Sequence, residues 1–196
     1  MNNQKKLFLL LIIFLLCCFT FSIIQIYAKY LSTTNGDTSI KIANWNIVVN
    51  NLSIKSDTDI SSAIIPIFPG NENISSNIIA PTSEGYFDLN FDFTNIDVSF
   101  KYEINVSASK NSSVTDLVAT GYSVDDGEKI TFSTFNEPIS DTIVLNSNIS
   151  NRKIRVFILW NDDDSTSTMS NEEDTIATNS DVPALLNVDI SFIQIK

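Results

Sequence analysis

Residues 87–106 read FDLNFDFTNIDVSFKYEINV, and this stretch determines the fold class. Apolar and polar residues alternate along two runs, which the segment 94–97 separates as a turn. A period of two places every second side chain on one face of a strand, so each run predicts a half-buried β-strand. The residues that share the apolar face are Phe87, Leu89, Phe91, Phe93, Val98, Phe100, Tyr102, Ile104 and Val106. Together the two runs predict an antiparallel hairpin with one aromatic-rich face toward the core.

The same alternation recurs after residue 43 and predicts further strands. Apolar residues fall at every second position of 43–49, and the runs 117–124 and 130–135 flank the turn sequence Asp125-Asp126-Gly127. Residues 154–160 become apolar on both faces, which indicates a central strand, and 185–195 form a last alternating run. The count is about nine strands, with no helix beyond the N-terminal segment. We therefore expect an all-β fold, an antiparallel jelly-roll-like β-sandwich.

The N-terminus carries the features of an export signal. Lys5 and Lys6 precede an apolar run from Leu7 to Ile26, and the small residue Ala28 follows. This order predicts an apolar helix and a signal peptide over residues 1–28, which signal peptidase would remove during export. An apolar run of about 20 residues can also span a bilayer, so an uncleaved membrane anchor through residues 7–26 is the alternative. In either case residues 29–196 are expected as one domain, secreted or held at the cell surface.

Composition excludes several classes of function. The chain has 12 basic and 23 acidic residues, no histidine, and two cysteines, Cys17 and Cys18, which both lie inside the apolar run. An exported part without cysteine is common in Gram-positive bacteria, and so acidic a surface repels nucleic acid. Without histidine or later cysteine, a Ser-His-Asp triad, a Cys-His pair and an H-E-x-x-H zinc site cannot form. We expect no enzyme, although two acids that converge in space would still permit glycoside hydrolysis.

One acidic loop, residues 161–181, holds a candidate metal site. Asp162, Asp164, Thr166 and Glu173 fall at offsets 1, 3, 5 and 12 of a calcium-binding loop, and such a density of oxygen ligands suits a hard cation. Serine stands at the sixth position, where an EF-hand has glycine, and no flanking helices are predicted. The segment is therefore interpreted as a solvated acidic loop, and weak calcium binding by these four residues is a hypothesis. No other cofactor is expected.

Three short motifs lie along the exported part. They are Ala43-Asn44-Trp45 with Ile47 and Val49-Asn50, Ile79-Ala80-Pro81 with Gly85 and Phe87, and Trp160 with an acidic loop, Asp174-Thr175 and a terminal strand that contains Gln194. In these motifs the chain resembles the camelysin and TasA group of bacterial surface and biofilm-matrix proteins, whose export depends on the signal peptidase SipW. The resemblance spans nearly the whole mature chain and implies a jelly-roll sandwich. It departs from the family at Pro81-Thr82, where a Pro-Gly pair is usual.

The resemblance also implies a structural role. In fibre-forming members the N-terminal segment of one subunit completes the sheet of the next, and Lys29–Ile42 would be that donor here. We therefore expect a non-enzymatic cell-surface or matrix protein that self-assembles or joins other surface proteins, with Trp45 and Trp160 as core anchors. The alternative is an extracellular carbohydrate-binding or hydrolytic jelly roll. That function would bring aromatic residues and paired carboxylates together in a concave face, whereas a structural role keeps the aromatic residues buried.

Overall fold

The structure is a computed structural model that describes residues 3–32, 42–55 and 58–195. The chain divides into two compact units, one that ends at Ile42 and one that begins at Ala43. Helix α1 spans Asn3–Ser32 in the first unit. Among the described residues, no helix combines the length and the hydropathy that crossing a membrane requires. Of the predicted donor segment 29–42, residues 29–32 end helix α1, and residues 33–41 lie outside the described residues.

The second unit is built from strands. Its elements within the described residues are β1 (Trp45–Val49), β2 (Leu52–Ile54), a 3₁₀ turn (Ser61–Ala63), β3 (Glu84–Ile96), β4 (Phe100–Ala108), β5 (Leu117–Val124), β6 (Ile130–Thr131), β7 (Ile139–Ile143), β8 (Asn151–Trp160), α2 (Asn171–Thr178) and β9 (Leu186–Gln194). The strands form a six-stranded sheet in the order β2-β1-β3-β8-β5-β6 and a three-stranded sheet in the order β7-β4-β9. All pairings are antiparallel, which confirms the all-β sandwich in outline.

The core lies between the two sheets. The inward residues of β3, β4 and β8 are only 0–5% exposed, because the alternation of each strand turns its apolar side toward the facing sheet. Aromatic rings meet across the core: the ring centroids of Phe91 and Tyr102 are 5.4 Å apart, and those of Phe93 and Phe100 are 4.9 Å apart. Such tilted aromatic pairs stabilise a core beyond the area they bury.

The predicted hairpin over residues 87–106 is wrong. β3 pairs with β1 and β8 in the larger sheet, whereas β4 pairs with β7 and β9 in the smaller one. The chain crosses from one sheet to the other between the two strands, so their aromatic faces meet across the core instead of lying side by side. Alternation identifies the buried face of a strand but not its hydrogen-bonded neighbour, and this limit explains the error.

Other predictions about single elements have mixed outcomes. β8 lies between β3 and β5, which confirms that residues 154–160 form a central strand. The predicted absence of a helix after the export segment is wrong, because α2 lies inside the acidic loop. Trp160 is buried, as expected of a core anchor, but Trp45 is 40% exposed and is not one. Trp45 is the first residue of β1, and its ring meets the ring of Phe100 edge to face, with centroids 5.8 Å apart.

One side of the sandwich is closed by an arginine. Arg152 on β8 donates to Asp125, which follows β5, at 2.7 Å, and it lies 3.4 Å from the carboxylate of Asp141 on β7. The arginine therefore joins the larger sheet to the edge strand of the smaller one. Burial alone would raise the pKa of Asp125, but hydrogen bonds from Lys153 and Arg152 outweigh it and lower that pKa.

Candidate functional site

The acidic segment 161–181 folds as a loop followed by helix α2, and a capping box starts that helix. The hydroxyl of Ser170 accepts a hydrogen bond from the backbone N–H of Glu173, and the carboxylate of Glu173 accepts from the backbone N–H of Ser170 at 2.7 Å. These bonds hold the helix N-terminus and lower the pKa of Glu173. The sequence pattern Ser-x-x-Glu at 170–173 is the signal that could have predicted α2.

The structure gives each predicted calcium ligand a definite place. Asp162 is half-buried and Asp164 is exposed, while the hydroxyl of Thr166 contacts the side-chain amide of Asn161 at 3.1 Å. Glu173 is occupied by the capping box. Within the ranges that the structure describes, no group of three or more Asp, Glu, His or Cys residues is arranged to hold a metal ion. Calcium binding by the four residues therefore stays a prediction.

Asp116 anchors the acidic loop to the sandwich. Its carboxylate, only 4% exposed, accepts from the hydroxyl of Ser167 at 2.6 Å, from the hydroxyl and the N–H of Thr168, and from the N–H of Met169 at 2.7 Å. Burial alone would raise the pKa of Asp116, but these hydrogen bonds outweigh it and lower that pKa. Asp116 is thus a structural carboxylate, and sequence reasoning had not singled it out.

Asp174, unlike Asp116, accepts a hydrogen bond from a side chain of the sandwich, that of Trp160 at the end of β8. The side chain is 5% exposed, and Oδ1 accepts from the indole N–H of Trp160 at 3.1 Å. Oδ2 is buried and has no hydrogen-bond donor. Burial raises the pKa of Asp174, the bond from Trp160 works in the opposite direction, and the charges of Asp162 and Asp116 raise the pKa further. Asp174 therefore holds its charge less readily than an exposed aspartate.

A second candidate site is the outer edge of β9. The N–H of Ile195 bonds to the carbonyl of Ser99, and the N–H of Ser109 bonds to the carbonyl of Leu185. Because hydrogen-bonded pairs alternate along an antiparallel ladder, the odd-numbered residues of β9 bond to β4. The N–H and C=O groups of the even-numbered residues point to the other side of β9, where the described residues place no strand. This edge is therefore open for pairing.

Grooves follow the same edge between β9 and the chain after β2. The larger one has a volume of about 730 Å³ and is lined by residues of segment 184–189 on one side and by Ile60, Ile64 and Phe68 on the other. A smaller groove of about 280 Å³ continues along Val188, Ile190 and Phe192. The inward side chains of β9 lie partly exposed in these grooves, although they belong to the same core as their buried neighbours on β4.

Among the described residues of the sandwich, the aromatic side chains do not form an open stacking platform of the kind that a carbohydrate site would use. Those of the core are buried, and on the outer face of the larger sheet Arg155 lies 4.0 Å from the centroid of the Tyr86 ring, while Lys129 lies 4.6 Å from that of Phe157. The larger groove is lined by two carboxylates, those of Asp59 and Asp189. Hydrogen bonds from Ser61 lower the pKa of Asp59, the opposite of what a general acid needs.

Comparison with known proteins adds no assignment. No family model matches the chain, and no curated protein is significantly similar to it.

Proposed function

We propose that this chain is an exported, non-enzymatic structural protein of the bacterial cell surface or biofilm matrix, and that it assembles by β-strand addition at the edge of β9. The single observation that supports this function best is the open β9 edge beside an apolar groove. An edge with free N–H and C=O groups supplies affinity for an added strand, and pockets for alternate side chains supply specificity.

The unmatched sizes of the two sheets support the same proposal. The smaller sheet has three strands and faces a sheet of six, so the inward side chains of β9 are incompletely covered. One further strand beside β9 would bury Val188, Ile190 and Phe192 and would pair the free backbone groups. An isolated chain that leaves such a site open is suited to receiving a strand from a second copy.

The proposed donor is Lys29–Ile42, with the alternation Ile40-Lys41-Ile42 as its most strand-like part. A segment of this length, at about 3.3 Å per residue, is long enough to run along the whole of β9. Its apolar residues at even positions would enter the groove, and Lys41 would lie on the opposite face. Under this proposal residues 1–28 serve as the signal peptide, and a SipW-type peptidase releases the donor.

We also propose that the sandwich is a jelly roll of the camelysin and TasA kind. Support comes from the chain path, because β3, β4 and β5 pass alternately through the larger, the smaller and again the larger sheet. The alternative function, carbohydrate binding or hydrolysis in the groove, has a weaker basis, since Asp59 is not suited to act as the general acid.

The test uses size-exclusion chromatography with light scattering on two purified forms, one that starts at Lys29 and one that starts at Ala43. We expect concentration-dependent oligomers or filaments from the longer form only, because only that form carries the donor. If both forms stay monomeric at high concentration, strand addition is wrong for this chain.

A matched pair of variants locates the acceptor. Val188→Lys places a charge in the groove and should abolish assembly of the longer form, whereas Ser191→Lys adds the same charge on the exposed face of β9, outside both grooves, and should leave it intact. Circular dichroism establishes that both variants remain folded. Equal assembly by both variants would show that the β9 edge is not the acceptor.

A further inference from the structure

We propose that Asp162 and Asp174 form a binding site for a hard divalent cation beneath Trp160, with Asp174 as the ligand that the sequence did not indicate. The proposal starts from the buried Oδ2 of Asp174, which has no hydrogen-bond donor although its side chain is only 5% exposed. Buried polar atoms in folded proteins are nearly always paired, so an orphaned carboxylate oxygen calls for a partner from solution.

The surroundings of this oxygen are negative. Asp162 acts on Asp174 through its charge and, when one of the two carboxyls carries a proton, through a side-chain hydrogen bond, and Asp116 adds a second charge. Two ionised carboxylates cannot donate hydrogen bonds to each other, so Asp162 satisfies Oδ2 only if one of the pair takes up a proton or if both share a cation. The segment 161–181 contains no lysine or arginine that could supply the positive charge.

The three carboxylates differ in what they can still bind. The oxygens of Asp116 already accept from four donors in the loop, whereas Oδ2 of Asp174 accepts from none. Asp162 is half-buried, follows Trp160 and Asn161 at the end of β8, and is a side-chain neighbour of Asp174. Glu173 and Thr166 are engaged elsewhere and do not belong to the proposed ligand set.

Two carboxylates form a partial coordination shell, and water or the loop would provide the remaining oxygens. Calcium takes six to eight oxygen ligands in flexible geometry, and sites with few charged ligands in extracellular modules have dissociation constants of about 0.1–1 mM. Magnesium demands a more rigid octahedron and retains its waters, so we expect it to bind more weakly. Calcium alone is therefore the appropriate probe.

Trp160 provides the readout, because its indole N–H bonds directly to Asp174. The experiment titrates CaCl₂ to about 10 mM into the full chain in mild detergent at constant ionic strength, in a Trp45→Phe background that leaves one tryptophan. We expect a saturable change in Trp160 fluorescence with a midpoint of about 0.1–1 mM. A titration without any saturable change would overturn the proposal.

Variants separate this site from the rest of the acidic loop. Asp174→Asn and Asp162→Asn should each weaken calcium binding at least about tenfold, since each removes one of two charged ligands. Asp164→Asn is the control, because that side chain is exposed and lies outside the set. If Asp174→Asn does not fold, calcium binding by Asp162→Asn alone tests the proposal, because that side chain is only half-buried. If Asp164→Asn weakens binding as much as Asp162→Asn, calcium only screens the charge of the loop, which contradicts the proposal. If the fluorescence of Trp160 follows pH but not calcium, the two carboxylates share a proton instead of a cation, which also contradicts it.

Discussion

The strands β8 and β9 have similar patterns of inward apolar residues but very different surroundings. On the inward face each strand has an apolar residue at every second position, over 154–160 in β8 and over 186–192 in β9, although β8 is also apolar on its outer face toward its end. The inward apolar residues of β8 are 0–2% exposed, whereas those of β9, from Leu186 to Phe192, are all partly exposed. Among the residues that the structure describes, β8 has a hydrogen-bonded neighbour on each side, and β9 has one only on the β4 side. Alternation therefore identifies the inward face of a strand, but its neighbours decide how deeply that face is buried.

The largest expected effect comes from making the same substitution in both strands. Val156→Ala in β8 should lower the free energy of unfolding by about 2 kcal/mol, because it removes two fully buried methyl groups and leaves a cavity. Val188→Ala in β9 should lower it by about 1 kcal/mol or less, since its side chain is already partly exposed. Urea unfolding of both variants measures the difference. Equal losses would mean that β9 is as well covered in solution as β8.

The next effect concerns how the chain is held where β8 ends and where β9 begins. Asp116→Asn should lower stability by about 1–2 kcal/mol, because a carboxylate that serves four donors in the loop after β8 becomes neutral. Ser112→Ala should lower it by about 1 kcal/mol, since the hydroxyl is uncharged: it accepts from the N–H of Leu185 at 2.9 Å and of Val114 at 3.1 Å, and it donates to the carbonyl of Val114 at 2.7 Å. Thermal unfolding compares them, and a larger loss for Ser112→Ala would contradict the ranking.

Much of the fold could be predicted from the sequence, because the apolar face of each long strand is encoded locally. The hydrogen-bonded partner of each strand could not be predicted in this way. β3 and β4 have the same alternating pattern whether they pair in one sheet or face each other across the core. Helix α2 was missed because residues 161–181 were interpreted by their charge, although Ser170 and Glu173 carry a capping box. Of the candidate site, Asp162 was predicted as a calcium ligand from its spacing, and that role stays a prediction. Asp116 and Asp174 gain their importance only from contacts with residues distant in sequence.

A smaller effect distinguishes the outer face of β8 by its pH dependence. The guanidinium of Arg155 bonds Asp88 through two contacts of 2.7 and 2.9 Å and lowers the pKa of that carboxyl. A pKa lowered by folding stabilises the protein above the unfolded value of about 4, and this stabilisation is lost as the pH falls through the folded value. Since the pair is partly exposed, Asp88→Asn should cost about 1 kcal/mol or less at pH 7. Urea unfolding at pH 7 and pH 3 should show the two proteins converging in acid; a constant gap would contradict this cause.

The finest difference lies within β9 itself and is visible by amide hydrogen exchange. In the form that starts at Ala43, the odd-numbered amides from Asn187 to Ile193 bond to β4 and should exchange slowly. The amides of Val188, Ile190 and Phe192 point to the open edge and should exchange much faster, whereas β8, paired on both sides, should show no such alternation. Uniform protection along β9 in this form would mean that the edge is already covered. In the assembled longer form the alternation should disappear, because an added strand accepts hydrogen bonds from those same amides.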